Sequence, residues 1–120
     1  YNTYIKILVL EDEPVSMKRL SNDLKSYGHK TLEASDSIEA LNIYYNNKDI
    51  DLVITDLAMP FGKGEDFIRD IKALKPTMPI VLISGTVNKD ILNKLKRFKC
   101  TDILVKPHDK NRLKLILDSL

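Results

Sequence analysis

The sequence predicts an α/β fold in which helices cover both faces of a five-stranded parallel sheet. Three observations predict it. Short runs of Ile, Val and Leu alternate along the 120 residues with segments of helical periodicity, the pattern of repeated strand–helix–strand units with right-handed crossovers. The runs are apolar on successive positions, as strands covered on both faces are. Their C-terminal ends carry polar side chains, Glu11-Asp12, Asp56, Ser84 and Lys106, and open α/β sheets place their chemistry beyond that edge.

The elements follow in order. The run Ile5–Leu10 is the first strand, and Pro14 suits the first position of the helix after it. Val15, Met17, Leu20, Leu24 and Tyr27 form the stripe of that helix, and Gly28 stops it. Lys30–Ala34 is a short strand. Ser35 or Asp36 caps a second helix with Ile38, Leu41, Tyr44 and Tyr45, ended by Asn46-Asn47. Asp51–Asp56 is the third strand, and Met59–Gly64 reads as a loop from its proline and glycines. A helix over about 65–74 carries Phe67, Ile68, Ile71 and Leu74 before Lys75-Pro76 breaks it. Pro79–Ser84 is the fourth strand, and Asn88 caps a helix with Ile91, Leu92, Leu95 and Phe98. The last strand is Asp102–Val105, followed by a helix from about Asp109 with Leu113, Ile116, Leu117 and Leu120. The expected strand order is 2-1-3-4-5, which puts the switch point between strands one and three, beside Glu11, Asp12 and Asp56.

Composition bounds the function. The length suits a single domain over 1–120 with a real core. With 43% hydrophobic and 30% charged residues, the chain matches a soluble globular protein rather than a disordered one. No apolar run is long enough to span a bilayer and no signal pattern opens the chain, so no membrane role is expected. The one cysteine, Cys100, excludes an internal disulfide and suits a reducing compartment, so the expected location is cytoplasmic. Residues 1–85 hold 10 Lys/Arg and 13 Asp/Glu, whereas residues 86–120 hold 9 and 4. Solvated helix faces account for such a bias, and a basic docking face is the sharper alternative. The basic residues lack interleaved aromatics, which argues against direct nucleic-acid binding.

Three carboxylates at one sheet edge repel, and without a cation one of them tends to hold a proton. A hard divalent metal with oxygen ligands, Mg²⁺, removes that conflict and neutralises charge on an incoming phosphoryl group. Ser84 then offers a hydroxyl and Lys106 a fixed cation to phosphoryl oxygens, with Asp56 as the nucleophile. Taken singly each residue has a bland reading: helix-terminal acids for 11–13, a loop acid, a turn serine, a solvated lysine. The signal lies in all of them standing at successive strand ends.

The chain resembles the receiver domains of two-component response regulators, with a flavodoxin-like fold. The resemblance runs from Ile5 to Leu120 and rests on Ile7–Pro14, Asp51–Pro60 with Gly64 four positions on, Pro79–Gly85 and Leu104–Pro107. It implies that Asp56 accepts a phosphoryl group from the phosphohistidine of a sensor histidine kinase or a histidine phosphotransfer protein. It implies Mg²⁺ held directly by Asp12 and Asp56, by Glu11 through water, and by the backbone carbonyl of Ala58. Ser84 and Lys106 contact the phosphoryl oxygens, and the Lys106-Pro107 bond is cis. Phosphorylation reshapes the face of helix four, strand five and helix five, which is also a candidate homodimer interface. The protein is then a phosphoacceptor in signal transduction rather than an enzyme with a separate substrate. Its start at Tyr1 suggests a piece of a longer regulator or hybrid kinase.

Four positions depart from the family pattern. Ile103 stands where an aromatic switch residue is usual, and it cannot swing a ring. His108 replaces a common Phe after Lys-Pro and is expected at the surface. Gly85 replaces the commoner Ala and leaves space by the site. Cys100 stands where glycine is common and is expected to be a buried structural thiol. Ala58 and Thr86 border the path of the hydrolytic water in the family, and being small here they imply an open path and fast autodephosphorylation.

Three alternatives are weaker. An aspartyl-phosphate phosphatase needs an acid two residues after the nucleophile, where this chain has Ala58. A flavin module needs a hydroxyl- and glycine-rich loop where this chain has Glu11-Asp12-Glu13. The runner-up is a degenerate receiver that binds proteins without phosphorylation, although every required side chain is present.

Overall fold

The computed structural model describes residues 4–59 and 63–120. Ten elements alternate: β1 (Lys6–Leu10), α1 (Pro14–Ser26), β2 (Lys30–Ala34), α2 (Ser37–Asn46), β3 (Leu52–Asp56), α3 (Lys63–Leu74), β4 (Ile80–Ser84), α4 (Lys89–Arg97), β5 (Asp102–Val105) and α5 (Lys110–Asp118). The strands are all parallel and lie in the order β2-β1-β3-β4-β5, as the alternation predicts.

Side-chain alternation along each strand divides the core into two layers. Leu8, Leu10, Val53, Ile80, Leu82 and Ile103 pack under α2, α3 and α4 with Tyr44, Phe67, Ile68 and Ile71. Ile7, Val9, Leu52, Ile54, Val81, Ile83 and Leu104 pack under α1 and α5 with Met17, Leu20, Leu24, Leu113 and Ile116. Every residue of β3 and β4 is buried. These two strands therefore form a rigid centre from which Asp56 and Ser84 emerge.

Local signals set the helix ends. Glu13 caps α1, its carboxylate accepting from the N–H groups of Val15 and Ser16 at 3.1 and 2.6 Å. Gly28 follows α1 at φ 91°, the left-handed conformation that ends a helix at low cost for glycine. Asp36, not Ser35, caps α2, while Asn88 caps α4 and Asp109 caps α5.

Four helices differ in detail from the sequence reading. Val15 is 73% exposed because it lies in the first turn of α1, so Met17, Leu20 and Leu24 carry the packing with Ser21. In α2 the inward face is Ser37, Ala40 and Tyr44, which leaves Ile38 70% and Tyr45 54% exposed. Small residues at 37 and 40 let that helix lie close to its neighbours. Helix α3 begins at Lys63, so the expected loop is shorter at its C-terminal end, and Pro60–Gly62 lie outside the described residues. None of the nine residues of α4 is buried, and Leu92 is 43% exposed.

Gly64 joins the first turn of α3 to the end of β3. A Cβ there would lie 2.5 Å from the Asp56 carbonyl oxygen and 3.3 Å from Leu57 Cα, whereas a Cβ on Gly85 would meet nothing within 4 Å. Gly64→Ala should therefore destabilise the fold by about 1–3 kcal/mol in denaturant titration, because backbone must shift. Gly85→Ala should be neutral or stabilising by less than ~1 kcal/mol. Equal midpoints for the two variants would contradict this account.

Candidate functional site

Four loops at the C-terminal edge of the sheet build the site. Glu11 and Asp12 follow β1, Asp56 ends β3, Ser84 ends β4, and Lys106 follows β5. The alternation that divides the core also sorts these residues. Glu11 continues the series Ile7-Val9, Asp56 continues Leu52-Ile54, and Lys106 lies two residues beyond Leu104, all on the side of α1 and α5. Ser84 belongs to the opposite series, with Ile80 and Leu82.

The first three meet. Lys106 Nζ lies 2.5 Å from Glu11 Oε1 and 2.6 Å from Asp56 Oδ2. Both carboxylates are buried, Glu11 at 2% and Asp56 at 2% exposure. The second oxygen of Asp56, Oδ1, accepts from the Ala58 N–H at 2.8 Å. The Asp56 carboxylate is thus pinned at both oxygens. Asp12 is exposed, and one carboxylate oxygen from each of Glu11, Asp12 and Asp56 falls within a 4.8 Å cluster.

The charges are unequally satisfied. Burial, then hydrogen bonding with Asp56, pushes Glu11 up to about 7, and Lys106 offsets only part of that. Burial also pushes Asp56 upward, but hydrogen bonds from Glu11, Lys106 and the Ala58 N–H outweigh it, so Asp56 lies below its ordinary value. For Lys106, burial works against the charge, and the ion pairs with Asp56 and Glu11 more than compensate, raising it. Of the two buried acids, Glu11 is thus the one that takes up a proton as pH falls below about 7, while Asp56 is held in its ionised form.

The donor set fits a hard divalent cation. All candidate ligands are oxygens, and Glu11 Oε2 is buried with no hydrogen-bond partner among the described residues. An orphaned carboxylate oxygen beside two more carboxylates is the arrangement that a cation would complete.

The remaining expected residues are placed as follows. Ser84 Oγ donates to the Thr86 carbonyl at 2.6 Å and accepts from the Thr86 N–H at 3.3 Å, so its hydroxyl is engaged within its own loop. Ala58, Gly85 and Thr86 are exposed, and nothing bulky stands over Gly85. Ile103 is 8% exposed and locked in the core under α3 and α4. Cys100 is only half-buried, and burial still pushes its thiol up to about 11.

One expectation fails. His108 is not at the surface: it is 8% exposed, and its Nε2 lies 2.6 Å from Asp23 Oδ2 on α1. A carboxylate on α1 four residues after Arg19 satisfies the ring, which makes burial tolerable. Neither Asp23 nor Arg19 stands out in the sequence, because a polar position on an exposed helix face carries no periodic signal. Together with Glu11, Ser16 and Lys106, His108 and Arg19 line a cavity of about 180 Å³ beside the carboxylates.

Comparison with known proteins fits this geometry. The family model "Response regulator receiver domain" matches residues 7–118. The "Regulator of RpoS" from Escherichia coli (strain K12) is 34% identical over 110 residues, covering 91% of this chain but 32% of that protein. The chain thus spans about a third of the length of that relative. A response regulator receiver domain protein from Clostridium thermocellum is 33% identical with a TM-score of 0.84, covering 96% of this chain and 92% of that one. The Vibrio cholerae chemotaxis protein CheY4 shares the fold at a TM-score of 0.90 and 24% identity, covering 98% of both chains. With five parallel strands in this order and acids at the ends of β1 and β3, the chain belongs to the response regulator receiver domain family of two-component systems.

Proposed function

We propose that Asp56 accepts a phosphoryl group from the phosphohistidine of a sensor histidine kinase or a histidine phosphotransfer protein. The observation that supports this most is the state of Asp56 itself: buried, ionised, and held at both oxygens by Lys106 and the Ala58 N–H. A carboxylate fixed in this way presents its lone pairs without reorganising. A bond forms from an Asp56 oxygen to phosphorus as the bond from phosphorus to the histidine nitrogen breaks, and the electron pair leaves on that nitrogen. Lys106 neutralises charge on the transferred group, and Ser84 donates to it once its hydroxyl turns from Thr86.

Glu11, Asp12, Asp56 and the Ala58 carbonyl would hold Mg²⁺, which when bound supplies charge neutralisation to the phosphoryl oxygens. Lys106 then gives up part of its hold on the two acids and turns to the phosphoryl group. The reading extends to the face of α4, β5 and α5, where Leu92, Val105 and Leu115 are exposed. This face is read as the output surface and as the homodimer interface. With Ile103 locked in the core, remodelling there works by backbone shift. The reading also takes 1–120 as one receiver domain in the cytoplasm, contacting neither nucleic acid nor membrane itself.

Four outcomes are expected. Acetyl phosphate with Mg²⁺ should add one phosphoryl mass to the intact protein, and Asp56→Asn should add none. A wild-type chain that gains no mass would sink the reading. Mg²⁺ affinity should rise with pH up to about 7 and then level, because the cation must displace the Glu11 proton. Below that point it should weaken by up to about tenfold per pH unit, and Glu11→Gln should bind more weakly with a flatter profile. The same raised group makes the metal-free fold lose stability as pH climbs from 4.5 to about 7, since the folded chain then holds the extra proton. Finally, Ala58→Leu should lengthen the aspartyl-phosphate half-life by obstructing the exposed path to Asp56, and an unchanged half-life would show that Ala58 does not govern water access.

A further inference from the structure

His108 is a buried, titratable side chain for which phosphoryl transfer has no use. It lies two residues beyond Lys106, in the segment that joins β5 to α5. Two side chains of α1 reach that segment, and the residue that ends the helix, Tyr27, reaches the first residue of α5. The Arg19 guanidinium donates to the His108 carbonyl at 3.4 Å, Asp23 Oδ2 holds His108 Nε2 at 2.6 Å, and the Tyr27 hydroxyl donates to the Lys110 carbonyl at 3.0 Å. Positions 19, 23 and 27 are four apart, so they form one stripe along the helix. Lys110 and Lys114 add their ammonium groups over the Tyr27 ring at 5.3 and 5.7 Å.

The other side of the segment is tied as well. The Lys106 N–H donates to the Ser84 carbonyl at 2.8 Å, and Asp109 caps α5 through the Asn111 N–H at 2.8 Å. Lys106 is therefore carried by a short span clamped to β4 before it and to α1 after it. A lysine side chain is long and loses much rotamer freedom when fixed. Its ammonium nevertheless bridges two buried carboxylates.

We propose that His108, held by Asp23, is a positioning residue that fixes the backbone carrying Lys106 and so aims the Lys106 ammonium at Asp56. The proposal rests on the phosphoacceptor reading for its kinetic consequence, but its structural content stands apart from it. It also has a directional signature. Lys106 occupies the same two carboxylates that the cation needs, so a loosened Lys106 competes less with Mg²⁺. The same loosening weakens neutralisation of the transferred phosphoryl group. The two effects have opposite signs, whereas general damage to the fold lowers both.

The test uses the whole chain and the variant His108→Leu, which is close to histidine in volume and apolar enough to stay buried but removes the bond to Asp23. Side-chain nitrogen NMR should show a slowly exchanging Lys106 ammonium in the wild type and a rapidly exchanging one in the variant. Mg²⁺ affinity, from titration of backbone amide shifts, should increase at least twofold. Phosphorylation by acetyl phosphate at saturating Mg²⁺ should slow by about tenfold, the order expected from a small misplacement of a reacting group. Asp23→Ala should reproduce these changes, and the double variant should add nothing to them. His108→Gln, which can still donate to Asp23, should restore part of the wild-type rate.

An unchanged ammonium signal with unchanged Mg²⁺ affinity overturns the proposal. So does a joint fall in Mg²⁺ affinity and rate that follows thermal stability. If the wild type accepts no phosphoryl group at all, the phosphoacceptor reading fails, and the ammonium and Mg²⁺ measurements still decide the role of His108.

Discussion

The structure depends on how two buried carboxylates share one counter-charge. Glu11 and Asp56, both buried, sit within reach of one partly exposed ammonium, Lys106. Removing two carboxylates from water is expensive, and one cation recovers that cost only in part. The protein responds by letting Glu11 take up a proton below about pH 7 while Asp56 remains ionised. This asymmetry separates the two acids. Asp56 has both oxygens held by hydrogen bonds, whereas Glu11 keeps a buried oxygen with no partner among the described residues.

The parallel sheet is what brings these groups together. Glu11, Asp56 and Lys106 come from segments far apart in sequence, yet each continues the strand series that faces α1 and α5. The pleat thus decides which side chains can meet. Ser84, one residue out of that series, ends with its hydroxyl bound to the Thr86 backbone. For Ser84 to reach the carboxylates, the loop after β4 would have to change, and a Cβ on Gly85 would meet nothing within 4 Å there. The Gly64 contact with the Asp56 carbonyl works the other way, holding the end of β3 in place by leaving no room.

Much of this was legible in the sequence, for identifiable reasons. Strands β3 and β4 are covered on both faces, so their unbroken Leu, Val and Ile runs could be read without knowing their neighbours. The acids, the serine and the lysine stood out because each punctuates such a run. Helix faces were less legible. In α2 the apolar residues Ile38 and Tyr45 point outward, and the small residues Ser37 and Ala40 carry the contact. Close approach of a helix favours small side chains, and hydrophobicity does not register that preference. His108 was illegible for a related reason. Its burial depends on Asp23, 85 residues away, and a single polar partner leaves no pattern in the chain.

Helix α4 is lightly anchored, with Ile91 and Leu95 only partly buried against the core. It is amphipathic, yet none of its residues is buried, and Lys94 binds Glu65 of α3 at 2.7 Å through a partly exposed ion pair. Exposed pairs of this kind contribute at most about 1 kcal/mol. Few buried apolar contacts are the mark of elements with low local stability. Reversing a two-state balance from 1:99 to 99:1 requires about 5.5 kcal/mol of differential interaction. A lightly seated helix lowers the elastic resistance to such a transition, so under the proposed function a modest chemical input at one end of the sheet would suffice for a mechanical displacement at its flank.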